Sequence, residues 1–385
     1  MTAVASSPTP APPPSPWARL RSSAKMHRSL TILFGWALIA TVLPLIVLIP
    51  PLSTFQPQSL WIDGFSNAGV FILLAMGLNI VVGMAGLLDL GYAAFFAIGS
   101  YVYAFGASPF SGLHVPFLPM LLVGAVIAAV LGVMLGAPTL RLRGDYLAIV
   151  TLGFGEIVPA VFLNASTFTK GTNGIGGIYK PNIFGYQFTL ENPVPYYVLM
   201  VAILAITMVL LYRLQASRLG RAWAAIREDE LAAASSGINT ITTKLLAFAL
   251  GASTAGFAGV FAASKLTFVS PDQFGFQVSF TVLAMVVLGG MGNIWGVAMG
   301  AFIIYTIQAV LLKELNQFFQ ALHVPVLQNI DFVQYQYLLY GIALVGMMLL
   351  RPEGLFPSSR RRQELHTSSG DEIGDLPAPT EALDQ

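Results

Sequence analysis

The chain has 385 residues, of which 56% are hydrophobic and only 10% charged, with a formal net charge of +1 and no cysteine. Soluble proteins carry about 25% charged residues, so a single water-soluble domain is excluded and an all-α polytopic membrane protein is expected. The near-neutral charge leaves no broad basic surface for nucleic acid. The lack of cysteine removes disulfides, thiolate catalysis and cysteine metal sites.

Residues 1–16 are uncharged and rich in Pro, Ser, Thr and Ala, and a basic group (Arg19, Arg21, Lys25, Arg28) follows. This N-terminal tail, 1–29, is expected to be disordered. The apolar run 30–51 has no small-residue cleavage site after it, so it reads as a first membrane span and not as a cleavable signal. Nine further spans are expected at 61–82, 86–106, 117–138, 146–163, 195–212, 245–264, 276–291, 295–312 and 333–350. They define a transmembrane domain over 30–357, with an external loop at 164–194 and a polar C-terminal tail at 358–385 that is expected to be disordered. With the N-terminus inside, only Lys170, Lys180, Lys265 and Lys313 of the 19 Lys and Arg fall outside, and every arginine is cytoplasmic, as the positive-inside rule asks. Both termini are then expected to be cytoplasmic. The spans at 276–291 and 295–312, parted only by a glycine-rich turn, fit either two full crossings or a re-entrant pair.

Catalytic signatures are missing. No G-x-x-x-x-G-K-[ST] phosphate loop and no H-E-x-x-H occur, and the four histidines (His27, His114, His323, His366) are scattered over tails and loops. No enzyme activity, metal or bound cofactor is expected of this chain. Glu156 lies ten residues into a span, about 15 Å deep at 1.5 Å per residue. A carboxylate there is expensive. It either lines a route or holds the helix break beside it, or it is a buried structural carboxylate, neutral or bonded to a neighbouring helix. Asn79, Asp89 and Tyr92 flank the second and third spans, and Asp145 and Tyr146 end a short inner connection that begins at Arg141. These are the further translocation-path candidates, against plain packing and topology roles.

The region 213–244 departs from the rest, with Arg213, Arg218, Arg221, Arg227, Glu228, Asp229, Glu230 and Lys244 between two apolar runs. Strong helix formers run from Gly220 to a glycine stop at Gly237. Trp223, Ile226 and Ala233 recur at helical spacing, so one face can dock while the charges stay wet. Either a soluble partner meets this helix or it lies on membrane lipid.

Several blocks in order resemble the LivM-type permeases of branched-chain amino acid ABC importers. They are Gly86-Leu-Leu-Asp-Leu-Gly-Tyr92, the stretch from Arg141 to Ile157, Gly220-Arg-Ala-Trp223 with Arg227-Glu-Asp-Glu230, Phe268-Val-Ser-Pro-Asp272, Val287-Leu-Gly-Gly-Met-Gly292 and Arg351-Pro-Glu-Gly-Leu355. The resemblance covers about 80–357 and leaves out both tails. It implies the LivH/LivM permease fold of about ten helices and a LivH-type homologue as partner. Two cytoplasmic ATPase subunits of the LivG/LivF type and an external substrate-binding protein are implied as well. It further implies that 218–237 is the coupling loop, with Arg218, Gly220, Arg221, Arg227, Glu230, Ala232, Ala233 and Gly237 as candidates for ATPase coupling. The external loop resembles the family's Thr-Gly-Gly-Pro-Asn-Gly-Ile pattern but reads Thr169-Lys-Gly-Thr-Asn-Gly-Ile175, so Lys170 and Thr172 depart from it; Lys170, Thr172 and Asn173 are the binding-protein contact candidates. The expected function is a transport subunit for branched-chain or other neutral amino acids. A urea or short-chain amide permease of the same family and a stand-alone secondary carrier stay open.

Overall fold

The computed structural model describes residues 35, 58–139, 145–183, 185–189, 191–315, 333–351 and 353–356. The expected first span at 30–51, the two tails, Arg141, Arg143 and the side chain of Asp145 lie outside the described residues. The chain runs through α1 (Gln58–Asn79), which passes into a π-helical turn (Ile80–Met84), then α2 (Ala93–Gly106), α3 (Phe117–Thr139) and α4 (Asp145–Asn164). The loop after α4 carries β1 (Ile175–Gly176), β2 (Asn182–Ile183) and β3 (Tyr186–Gln187). Next come α5 (Val194–Ala216), α6 (Arg218–Glu228), α7 (Glu230–Ser235), α8 (Thr240–Leu266) and β4 (Phe268–Val269). The last elements are α9 (Phe276–Gly289), α10 (Ile294–Thr306) with a second π-turn (Ile307–Leu311), and α11 (Gln336–Leu350). Among the described residues, seven helices are long and apolar enough to cross a membrane, and α2 and α11 are shorter apolar helices.

The helix α8 is the centre of the bundle and packs on α3, α2 and α1. Its inward positions are small: Ala247, Ala252, Ala255 and Ala258 are fully buried. A Cβ placed on Gly256 would lie 2.7 Å from the Gly124 carbonyl oxygen and 2.8 Å from Ala128 Cβ. Backbones approach this closely only where side chains are nearly absent, the packing that replaces hydrophobic driving force inside lipid. Facing outward, α3 shows a purely apolar stripe of Leu122, Val126, Val130 and Met134, each more than half exposed.

The structure shortens the expected third span. The helix occupies only Ala93–Gly106, and 85–92 crosses the bundle as irregular chain. Gly86 takes a left-handed φ of +72°. Gly91 passes so close to α4 that a Cβ on Gly155 would lie 2.9 Å from Gly91 Cα. The Leu90 amide donates to Thr151 Oγ1 at 3.0 Å, which satisfies backbone that a helix would have satisfied internally. The expected eighth and ninth spans are separate helices. With their flanking turns they run Pro271–Gly289 and Ile294–Leu315, each long enough to cross.

Two ends of the bundle are distinguished by long-range hydrogen bonds. At one end the turns at 83–86 and 289–293, the 213–244 region and the segment 353–356 meet. There the Leu355 amide donates to Leu288 O, and Asn293 Nδ2 donates to Phe356 O. At the other end β1 pairs antiparallel with β4, with Ile175 opposite Val269 and Gly176 opposite Phe268. The Tyr179 amide donates to Ala107 O at 2.7 Å there.

Candidate functional site

The charged region is divided by three N-caps. Ser217 Oγ accepts from the Gly220 amide at the start of α6, Asp229 Oδ1 accepts from Leu231 and Ala232 amides at the start of α7, and Asn239 Oδ1 accepts from the Thr242 amide at the start of α8. Ser, Asp and Asn are the residues that end one helix register and begin another. Gly237, at φ +85°, closes α7, and the next amide, of Ile238, bonds back to Ala233 O. The result is a fixed elbow of two short helices and not a floppy loop.

The elbow is fastened to the bundle by specific side chains. Trp223 is fully buried and its indole N–H donates to Thr243 O at 2.7 Å. Glu230 pairs with Lys244 at 2.6 Å. Arg227 Nη1 donates to Gly83 O at 2.6 Å, and Gln215 Nε2, at the end of α5, donates to Gly292 O at 2.9 Å. Ala233 is buried and Gly220 sits against the Leu214 and Gln215 carbonyls. The apolar face expected to dock does dock, against this chain's own helices. Arg218, Arg221, Ala232 and Gly237 point to the exposed side, where Leu231 is 68% exposed. The coupling candidates therefore split into an inward group (Gly220, Arg227, Glu230, Ala233) and an outward group.

The translocation-path candidates split as well. Asn79, Asp89 and Tyr92 are buried inside the bundle. Asn79 Oδ1 accepts from the Gly292 amide at 2.8 Å, and Tyr92 Oη donates to Gly251 O at 2.8 Å beside Thr254. Asp89 Oδ1 accepts from the Gly91 amide at 2.9 Å, while Oδ2 finds no partner among the described residues. The remaining candidates belong to α4, which Asp145 opens. Tyr146 is 72% exposed, and Ile149, Gly153, Glu156, Ile157 and Ala160 continue the same exposed stripe. Glu156 is thus on the open face of α4, and its Oε1 accepts from the Phe276 amide at 3.2 Å, the first residue of α9. No side chain caps α9 at Gly275, so the Glu156 carboxylate holds that N-terminus and complements its dipole.

Comparison with known proteins gives this geometry a context. Residues 60–348 match the family described as "Branched-chain amino acid transport system / permease component". The high-affinity branched-chain amino acid transport system permease protein LivM of Escherichia coli (strain K12) is 40% identical over 317 residues, covering 77% of this chain and 70% of that one. The chain belongs to this permease family. The LivH permease of Salmonella typhimurium is 27% identical over 265 residues, covering 64% of this chain and 83% of that one. The ribose import permease RbsC of Haemophilus influenzae is 24% identical over 287 residues, covering 72% and 86%. No solved structure matches the chain. Proteins of this family are transport subunits, not enzymes, and this one is an all-α, multi-pass membrane permease.

At the end of the bundle that carries β1 and β4, Lys170 takes a left-handed φ of +59°. Its ammonium lies 4.8 Å from the centre of the Phe110 ring. Lys170, Thr172 and Asn173 are exposed together on the turn that precedes β1. The β1–β4 pairing joins this turn to the 268–272 block, a juxtaposition no local pattern announced. Sequence reasoning also missed Lys265, treated only as an outer charge. It is buried at the end of α8, with Nζ 2.8 Å from Asp63 Oδ1 and donating to Asn67 Oδ1 at 2.7 Å. The signal was a lone cation ending a long apolar run. Behind it a largely apolar cavity of about 290 Å³ opens between α1, α2, α8 and α9, walled by Val70, Phe71, Phe96 and Val278.

Proposed function

We propose that this chain is one of two permease subunits of an ATP-driven ABC importer for branched-chain and other neutral amino acids. It sits in the inner membrane with both termini cytoplasmic. The observation that carries the reading is the capped elbow of α6 and α7. Its inner face is bolted to the bundle, and its outer face presents Leu231, Ala232, Arg218 and Arg221 to a soluble partner. A rigid exposed element that carries Arg218, Arg221 and Arg227, with Arg213 in the helix before it, is what a separate ATPase needs in order to push on a membrane domain. The chain itself has no phosphate loop, so the two ATPase subunits supply the hydrolysis and no cofactor is held here.

The open face of α4 supports the pairing with a LivH-type homologue. The stripe on α3 is wholly apolar and suits lipid, whereas the α4 stripe carries Glu156 in mid-span. An exposed carboxylate at that depth costs several kcal/mol against hydrocarbon. That face therefore meets protein or a water-filled path, which supports a route at the junction of the two permease subunits. An external binding protein delivers substrate to the other end, where Lys170, Thr172 and Asn173 are exposed. The test is reconstitution of the chain with a LivH-type subunit, the two ATPases and the binding protein in liposomes. Leucine uptake that requires ATP and all partners supports the reading, and gradient-driven uptake by this chain alone overturns it.

A further inference from the structure

Arg227 stands out within the elbow because it turns away from the partner-facing side. Its target is the end of α1, where the helix widens into a π-turn: Ala85 N bonds to Ile80 O and Leu87 N to Val81 O, both at 3.0 Å. Short π-turns inside helices concentrate at functional sites. Here the chain leaves the helix immediately afterwards, and the guanidinium of Arg227 sits on the Gly83 carbonyl, a cation at a helix C-terminus. The stem of Arg227 lies over Gly86, where an added Cβ would come 2.8 Å from Arg227 Cγ. The same π-turn abuts the α9–α10 turn: a Cβ on Gly83 would lie 2.6 Å from the Gly292 amide nitrogen, and that amide donates to Asn79 Oδ1. Gly292 O in turn accepts from Gln215, one residue pair before α6 begins. A closed ring of contacts thus runs from α6 through Arg227, Gly83, Asn79 and Gly292 to Gln215. The other fasteners of the elbow, Trp223 to Thr243 and Glu230 to Lys244, reach only the start of α8.

We infer that Arg227 is the positioning residue that passes movement of the α6–α7 elbow to the α1 π-turn and the α9–α10 turn, and that it does not touch the ATPase. This rests on the reading of the elbow as the ATPase-facing element. Trp223 and Lys244 set where the elbow sits, and Arg227, with Gln215 as its second point of attachment, sets what moves when the elbow moves. Arginine suits the task because its charge-assisted bond to a carbonyl is strong and geometrically fixed.

The test uses the full reconstituted importer and measures leucine taken up per ATP hydrolysed. In Arg227→Ala the ATPase subunits co-purify at the wild-type ratio and hydrolysis persists, while uptake per ATP falls about tenfold, the size of one lost charge-assisted hydrogen bond. Arg227→Lys, which keeps a cationic donor, restores at least half of the coupling. A merely structural role would lower the amount of complex and leave the ratio per complex unchanged. If Arg227→Ala does not accumulate in the membrane, Gln215→Leu replaces it and shows a several-fold loss in the same ratio. The inference is overturned if the ratio is at the wild-type level in the variant measured, or if Arg227→Ala releases the ATPase. Failure of the wild-type complex to couple uptake to ATP refutes the function proposed above; normal wild-type coupling with normal variant coupling refutes only the role of Arg227.

Discussion

Charge exchange between Glu230 and Lys244 tests how firmly α7 is held to α8. The two groups lie 2.6 Å apart, with the lysine side chain only 9% exposed and the glutamate 34%. An exposed pair of this kind is worth about 0–1 kcal/mol, and removing one partner of a fully buried pair costs about 3–5 kcal/mol. This pair lies between the two limits, so Glu230→Gln is expected to cost roughly 2 kcal/mol, most of it from the nearly buried ammonium left without its counter-ion. Glu230→Lys adds like-charge repulsion, gross about 4 kcal/mol at 4 Å and an effective dielectric of 20. The side chain at 230 can swing toward water, so the expected total stays near 3 kcal/mol. The assay is thermal unfolding of the purified permease pair in detergent, run beside ATP-dependent uptake. The double exchange Glu230→Lys with Lys244→Glu should recover at least half of the loss in both. Single variants within 0.5 kcal/mol of wild type, or a double exchange no better than Glu230→Lys, would refute the pairing as an anchor of the elbow.

Three further outcomes follow from the same geometry. Ala233→Leu must force a branched side chain into a closed contact, which costs about 1–3 kcal/mol and lowers the melting temperature, whereas Ala232→Leu leaves melting unchanged and weakens ATPase co-purification. A reversal of that pattern would mean that the outward face has been misassigned. Glu156→Gln keeps an acceptor for the Phe276 amide and should retain at least half of wild-type uptake, while Glu156→Ala strips the cap from α9, costs about 1 kcal/mol and loses most uptake; equal behaviour of the two would remove the capping role. Lys170→Gly should be tolerated and Lys170→Val should loosen the outer loop by about 1–2 kcal/mol, because a β-branched residue resists positive φ. Limited proteolysis within 164–194 reads the order.

The sequence already carried the parts of this protein that local chemistry dictates. Apolar runs marked the membrane helices, and Gly237 marked the end of the helical stretch that begins near Gly220, although not its division at Asp229 into α6 and α7. The spacing of Trp223, Ile226 and Ala233 marked a docking face, although not its target. What escaped was set by tertiary contacts. The 85–92 segment is apolar enough to read as part of a span, but Gly86 and Gly91 weaken helix there and the crossing with α4 at Gly91 and Gly155 holds it as irregular chain. Arg227 reads as one more wet charge until a carbonyl 144 residues away is brought to it. Glu156 was expected to line a route or to be a buried carboxylate, neutral or bonded to a neighbouring helix; it does bond a neighbouring helix, 120 residues further on, but from an exposed position. Neither partner of such a bond carries a local signal of the other.

The two halves of the site are physically continuous through α9. Its C-terminal end runs into the turn at 289–293, which is held by Asn79 and Gln215 and capped by the 353–356 segment. Its N-terminal end is held by Glu156 on the open face of α4. The helix between has 14 residues, about 21 Å at 1.5 Å per residue, and its buried side chains, Val282, Met285 and Val286 among them, are locked in the bundle. A rigid rod with one end beside the elbow and the other on the Glu156 carboxylate of α4 has few ways to absorb motion, since packed interiors shift between discrete arrangements and do not deform smoothly. The hydrogen bond from Phe276 to Glu156 ties α4 to that rod, beside the packing of α4 on α9 and on the Pro271–Phe274 turn before it. The Glu156 carboxylate thus serves the start of α9, a role that does not require its charge to bind a substrate.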